Sequence, residues 1–205
     1  MFPHETGRHQ VPYSAFFVLI VLAVLVPTVL DAQTTHLRRI EIVASGTYEI
    51  KVETSTPDVN VVGGHTDIVS AWKRISPGQT FRAQLCLTFG LEYQIAGSPN
   101  GAMMPLRMVT RFPPPGLRDP ETGDAKLHQE VRILKTIGTR HFRAYTIHES
   151  WEMVPGTWSF EIWHRDQKLV EQAFVVLPAC GDACKEHPDA IARCAPRLTS
   201  LVPIW

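Results

Sequence analysis

The sequence predicts an all-β fold, an antiparallel β-sandwich of about eight strands, on three observations. From Thr80 to Ile95 apolar and polar residues alternate: Phe81, Ala83, Leu85, Leu87, Phe89, Leu91, Tyr93 and Ile95 share one side. That is the pattern of a strand with one wet face, and a helix would scatter those side chains around its circumference. Pro155 to Val176 reads as a hairpin, with Trp158, Phe160 and Ile162 alternating against Ser159, Glu161 and Trp163 before the polar turn Arg165-Asp166-Gln167. The 16 prolines and 13 glycines in 205 residues mark frequent turns, and helical periodicity is almost absent.

The elements follow in order. Ile40 to Thr54 is the first strand, with Ile40, Ile42, Ala44, Tyr48, Ile50 and Val52 on one face and Gly46 at a bulge or a close backbone approach. Asn60 to Gly64 reads as loop, and Thr66 to Ile75 as a weaker strand ended by Pro77-Gly78. Thr80 to Ile95 is a long strand that Gly90 is expected to bend or divide, with Cys86 on its polar face. Gly97 to Gly101 is a turn and Leu106 to Phe112 a strand. The three consecutive prolines that follow lack backbone N–H groups and cannot sit inside a sheet, so the connection through Lys126 is predicted as the longest irregular region. Leu127 to Lys135 and His141 to Glu149 are strands separated by a turn at Gly138. After Val176 the alternation stops, and Asp189 to Arg193 offers at most one helical turn.

Ala15 to Val26 is an uninterrupted apolar run behind a short polar segment carrying Arg8. As a helix it spans only about 18 Å, short of a bilayer core of roughly 30 Å. This favours a cleaved export signal ending near Ala32 over a membrane span; extension through Leu30 keeps an uncleaved anchor as the alternative. The expected organisation is a signal or anchor over 1–32, a sandwich over 38–177 and a cysteine-bearing tail over 178–205. With Arg8, Glu5 and Asp31 set aside, 19 basic side chains face 18 acidic ones. That balance argues against nucleic acid or anionic lipid as the main partner, and leaves membrane contact to an uncleaved N-terminal segment alone.

Several stretches resemble a known family: Val109 to Gly123 (VTRFPPPGLRDPETG), Ser150-Trp151-Glu152, Val154 to Trp163 (VPGTWSFEIW), Lys168-Leu169, Phe174-Val175-Val176 and the early Gly46-Thr47-Tyr48. They are similar to a family of small bacterial exported proteins classed only as a domain of unknown function. The likeness covers roughly Arg38 to Leu177. It implies a bacterial envelope protein with an immunoglobulin-like sandwich, and no activity, cofactor, substrate or functional residue.

Four cysteines in an exported chain point to disulfides. Cys180, Cys184 and Cys194 lie in the tail, and Cys86 is the natural partner for one of them, which would staple the tail to the sheet. A zinc set of those three with His187 is disfavoured, because ribbons and fingers bring ligands in close pairs and this run has one such pair. No His-x-His or His-x3-His pattern occurs, and His141, His148 and His164 meet only if three strands are neighbours. Nor is there a nucleophile elbow, a phosphate cradle or a dinucleotide motif. Glu149, Glu152 and Glu161 near Trp151, Trp158 and Trp163 read as solvated residues beside packed aromatics. No catalytic residue, metal ligand or cofactor is therefore assigned. The loop residues Arg111, Pro113, Pro114, Pro115, Arg118 and Asp119 form the best candidate interaction surface. The leading expectation is a non-enzymatic immunoglobulin-like module that binds an unidentified protein or envelope component through loops or a sheet edge. The alternatives are a membrane-tethered assembly factor and a hydrolase using a carboxylate or a metal.

Overall fold

The alternating stretch at 80–95 builds two strands in different sheets rather than one. In the computed structural model, which describes residues 34–179, Thr80–Arg82 and Thr88–Ser98 are separate strands joined by a turn. The turn is set by Cys86, whose φ is +64°, and by the Cys86 N–H, which donates to the Ile147 carbonyl at 2.8 Å. The period of two survives the break because both strands point their apolar side chains into the same interior. Phe81 and Phe89 meet there at 4.7 Å between ring centroids. Cys86 thus lies half-buried in the crossing between sheets and not on the wet face of a strand.

In chain order the strands are β1 (His36–Pro57), β2 (His65–Pro77), β3 (Thr80–Arg82), β4 (Thr88–Ser98), β5 (Met103–Arg111), β6 (Leu117–Arg118), β7 (Ala125–Lys126), β8 (His128–Thr136), β9 (Arg140–Thr146), β10 (Gly156–His164) and β11 (Gln167–Leu177). They form a four-stranded sheet β2-β1-β4-β9, a five-stranded sheet β3-β11-β10-β5-β8, and a small ribbon β6-β7. All pairings are antiparallel except β3 with β11. The predicted all-β sandwich is therefore present. The signal segment and the tail with Cys180, Cys184 and Cys194 lie outside the described residues.

Two glycines fix how closely strands of the first sheet approach. Gly46 pairs with Gly90 across β1 and β4, and Gly90 pairs with Ala144 on β9. A Cβ on Gly46, where φ is +152°, would fall 2.0 Å from the Ser76 carbonyl oxygen, and one on Gly90 would fall 2.1 Å from that of Arg143. Gly90 neither bends nor divides its strand; it admits the neighbouring backbone. A register shift between Ile42 and Ala44 turns Ile42 outward, so the expected inward position of Ile42 is not realised.

The core joins both sheets around Phe89, which touches Phe81, Tyr145, Trp158, Phe160 and Phe174 at 4.7–6.1 Å between centroids. Trp158, Phe160 and Ile162 point inward as predicted, and Trp158 satisfies its indole N–H on the Val154 carbonyl at 3.0 Å. The two-residue turn at Arg165-Asp166, with Arg165 at φ +53°, closes the β10–β11 hairpin.

The β1–β2 hairpin closes the side of the sandwich between β8 and β9. Trp72 stacks on Phe142 of β9 at 5.1 Å, the Val62 N–H donates to the Gln129 side-chain oxygen of β8 at 2.9 Å, and Lys126 reaches the Val61 carbonyl at 3.5 Å. The hairpin tip is held by Asp58, whose carboxylate accepts the Asn60 N–H at 3.0 Å and the Thr66 hydroxyl at 3.3 Å.

Phe89→Ala is expected to cost about 3–5 kcal/mol, since it removes the ring that both sheets share. Ile42→Ala is expected to cost less than about 1 kcal/mol, because that side chain is partly exposed at a bulge. Chemical denaturation of the purified protein checks both.

Candidate functional site

Under the β1–β2 hairpin lies a cavity of about 410 Å³, lined by the start of β2, the inner face of β8 and most of β9. Strand alternation decides what β8 contributes. Gln129, Val131, Ile133 and Lys135 line the cavity, whereas His128, Glu130, Arg132 and Leu134 alternate with them. From β9, Arg143 enters with its guanidinium donating to the Thr110 hydroxyl at 2.9 Å. Burial lowers the pKa of Arg143, and burial together with the Arg143 charge lowers that of Lys135. The β8 side of the cavity thus sets Val131 and Ile133 beside two cationic groups.

At one end of the cavity three side chains from distant parts of the chain converge. His65 and Asp67 sit two positions apart on β2 and so on one side of the strand, and His148 follows β9. One ligand-capable atom from each lies within 4.8 Å of the other two, and all three residues are half-buried. These are the described residues that could hold a metal ion. Just behind them Glu152 is buried in a single 3-10 turn (Ser150–Glu152), where its carboxylate accepts the His148 N–H at 2.7 Å and the Glu149 N–H at 3.3 Å. Burial raises the Glu152 pKa against these hydrogen bonds.

His141, His148 and His164 do not converge, since the strands that carry them are not neighbours. His141 donates from Nε2 to the Thr136 carbonyl at 2.7 Å, and burial lowers its pKa against that hydrogen bond and with the help of Lys135. His164 donates to the Pro105 carbonyl at 2.9 Å on the other sheet. His141 and His148, both on the cavity wall, are seven positions apart along a largely extended segment, roughly 20 Å. His148 instead meets His65, which belongs to no His-x-His pattern. The available signal was His65-Thr66-Asp67, a ligand-x-ligand pattern at the start of a strand.

Of the three glutamates expected to be solvated, Glu149 is exposed, whereas Glu152 and Glu161 are buried. Glu161 is buried on the outer face of the central strand β10, covered by Arg111, Trp163 and Lys168. Arg111 Nε donates to it at 2.7 Å, Trp163 Nε1 at 2.8 Å and Lys168 Nζ at 3.5 Å, while Arg107 stacks over the Trp163 ring at 4.4 Å. Burial acts to raise the Glu161 pKa, but the hydrogen bonds from Arg111 and Trp163 and the charges of Arg111 and Lys168 outweigh it and hold it below the usual carboxylate range. Arg111 thus has a packing role on this face.

The remaining loop candidates are held in place by their own contacts. Arg118 donates to the Gly123 carbonyl at 2.6 Å, and Asp119 accepts the Glu121 N–H at 2.8 Å. Pro113 is buried while Pro114 and Pro115 are exposed. The ribbon β6–β7 buries Leu117, so the region expected to be irregular carries a short paired segment anchored in the core.

A family model described as a domain of unknown function (DUF3859) matches residues 37–176, which bears out the resemblance drawn over Arg38 to Leu177. The chain is also similar to an immunoglobulin-like protein from Pseudomonas aeruginosa, at 25% identity over 71% of this chain and 99% of that one, with a TM-score of 0.47. No curated protein matches.

Glu161→Gln is expected to destabilise the fold by about 1–3 kcal/mol at neutral pH, because it removes a buried charge that Arg111 and Lys168 surround. The Glu161 pKa is depressed, so its contribution is present above the unfolded value of about 4.3 and is lost as pH falls through the lower folded value. The gap between wild type and variant should therefore close in acid. Denaturant midpoints measured across that range test the sign.

Proposed function

We propose that this chain, which belongs to the DUF3859 domain family, is an exported, non-enzymatic module of the cell envelope that captures an extended protein segment along the open edge of its five-stranded sheet. The observation that carries this reading is β8. It ends the sheet, and no described strand pairs with its outer side. An unpaired strand of this length offers a ladder of N–H and C=O groups to an incoming strand, with alternate side chains setting specificity.

The surroundings of β8 support the same reading. Leu127, just before the strand, and Leu134 within it are each 57% exposed at this edge, an apolar surface that an incoming segment would cover. On the inner side Val131, Ile133, Lys135 and Arg143 line the cavity, which suits a segment bearing apolar residues and one carboxylate. The proline loop ends where β8 begins, since Phe112 donates to the Leu127 carbonyl at 2.9 Å and Arg111 pairs with His128. Exposed Pro114, Pro115 and Arg118 then extend the same surface as its rigid end.

Export rests on the apolar run Ala15 to Val26, and it places the protein in the periplasm or outside the cell unless that run is retained as an anchor. Among the described residues no helix is long and apolar enough to cross a membrane. No described cysteine is free, which fits pairing of Cys86 with one of Cys180, Cys184 and Cys194. Closing so long a loop contributes up to about 4–5 kcal/mol in the chain-entropy model.

A photo-reactive residue at Leu134 is expected to give a discrete envelope-protein adduct in living cells of the native host, and Ile133→Asp to abolish it with little change in melting temperature. No adduct, or equal adducts from a probe at exposed Thr80 on β3, at the opposite edge of the same sheet, would reject the edge reading. Intact mass of the protein from the envelope is expected to lack about 32 residues, and a full-length mass would show a tethered protein instead.

A further inference from the structure

We propose that His65, Asp67 and His148 form a site for one divalent transition-metal ion, zinc being the ion that suits this donor set best. The inference does not rest on the β8 reading, because none of the three residues belongs to β8.

Three features of the geometry point to an ion. The first is convergence: one ligand-capable atom from each residue lies within 4.8 Å of the others, although His148 stands more than eighty positions from His65. Ligand atoms on a tetrahedral zinc ion are about 3.4 Å apart, so small side-chain rotations complete the set. The second is the disposition of the rings. Two imidazoles bound through nitrogen to one tetrahedral ion place their centroids roughly 5.2 Å apart. His65 and His148 stand 5.6 Å apart and are tilted by 51°, so they are not stacked.

The third is the support behind the ligands. The Gly63 carbonyl can only accept a hydrogen bond, so His65 Nδ1 carries the proton and the lone pair is directed from Nε2. This is the arrangement that orients a ligating histidine and fixes its tautomer. For His148 the support lies in the backbone, where buried Glu152 accepts its N–H at 2.7 Å and fixes the point from which the side chain starts. Gly63 itself has φ +77°, and a Cβ there would lie 3.5 Å from Glu152 Oε1 and 3.6 Å from the His65 ring. The turn at Gly63, the His65 ring and the Glu152 carboxylate are therefore packed against one another, with the histidine ring held from behind.

Two imidazoles and one carboxylate suit zinc in charge and in softness, and leave a fourth position for water or a fourth donor. All three residues are half-buried, which gives an ion a way in and partly shields it from bulk water.

The test uses the mature protein stripped with a chelator, its cysteines left in their native oxidation state. Calorimetric titration with zinc chloride is expected to show one ion per chain at micromolar affinity or tighter, with a raised melting temperature. Cobalt(II) should give the visible bands of a tetrahedral nitrogen and oxygen site without a thiolate charge-transfer band. His148→Gln and Asp67→Asn should each weaken binding by roughly tenfold or more, whereas His164→Gln should leave it unchanged. Absence of stoichiometric binding, a thiolate band, or unchanged affinity in both variants would overturn the proposal. Should either variant misfold, the stoichiometry and cobalt spectrum of the wild-type protein still decide.

Discussion

Phe89 is the contact on which the rest of the structure depends. It belongs to β4 of the first sheet, yet its ring meets Trp158, Phe160 and Phe174 of the second. It also meets Phe81 of β3, the strand that precedes it across the crossing between sheets. Aromatic pairs of this kind add to the burial of their area a preference for tilted and edge-on arrangements, so they fix orientation as well as separation. The sandwich is therefore pinned at one point through which the chain itself passes from sheet to sheet, with Cys86 in the turn between.

From that point the closed side and the open edge of the sandwich follow. β1 runs for 22 residues, longer than the strands that it pairs with, and its hairpin with β2 reaches across to β8 and β9. Its tip covers the gap between the sheets on one side and roofs the cavity, and the same reach brings His65 and Asp67 beside His148. β8 meanwhile is left at the end of the second sheet. A single device, a long bent hairpin, thus creates the cavity, the metal-ligating cluster and one wall of the proposed binding edge.

The strands were largely legible in the sequence because alternation reports which side chains face a common interior, and Trp158, Phe160, Ile162, Phe89 and Tyr93 all point inward as that pattern requires. The same signal is blind to which sheet a strand joins. Phe81 and Phe89 keep one period while their strands lie in different sheets, so the break at 83–87 left no mark on the alternation, and the turn falls at Cys86 and not at Gly90. Local bulges were equally hidden, as Ile42 shows. The candidate site was less legible still. His65-x-Asp67 is a weak pattern by itself, and only the tertiary path of the β1–β2 hairpin brings His148 to it. Glu161 read as a solvated alternate because the sequence does not say that Arg111, from a strand fifty positions away, covers it.

Amide hydrogen exchange reads the proposed docking edge at β8 most directly. Amide exchange would be followed by mass spectrometry in the purified mature protein alone and after incubation with solubilised envelope from the native host. Added protection is expected to be confined to 128–136 and to the adjoining loop at 113–118, with β2 unchanged. Protection that falls on β2 or on the 165–166 turn while β8 stays as it was would contradict it.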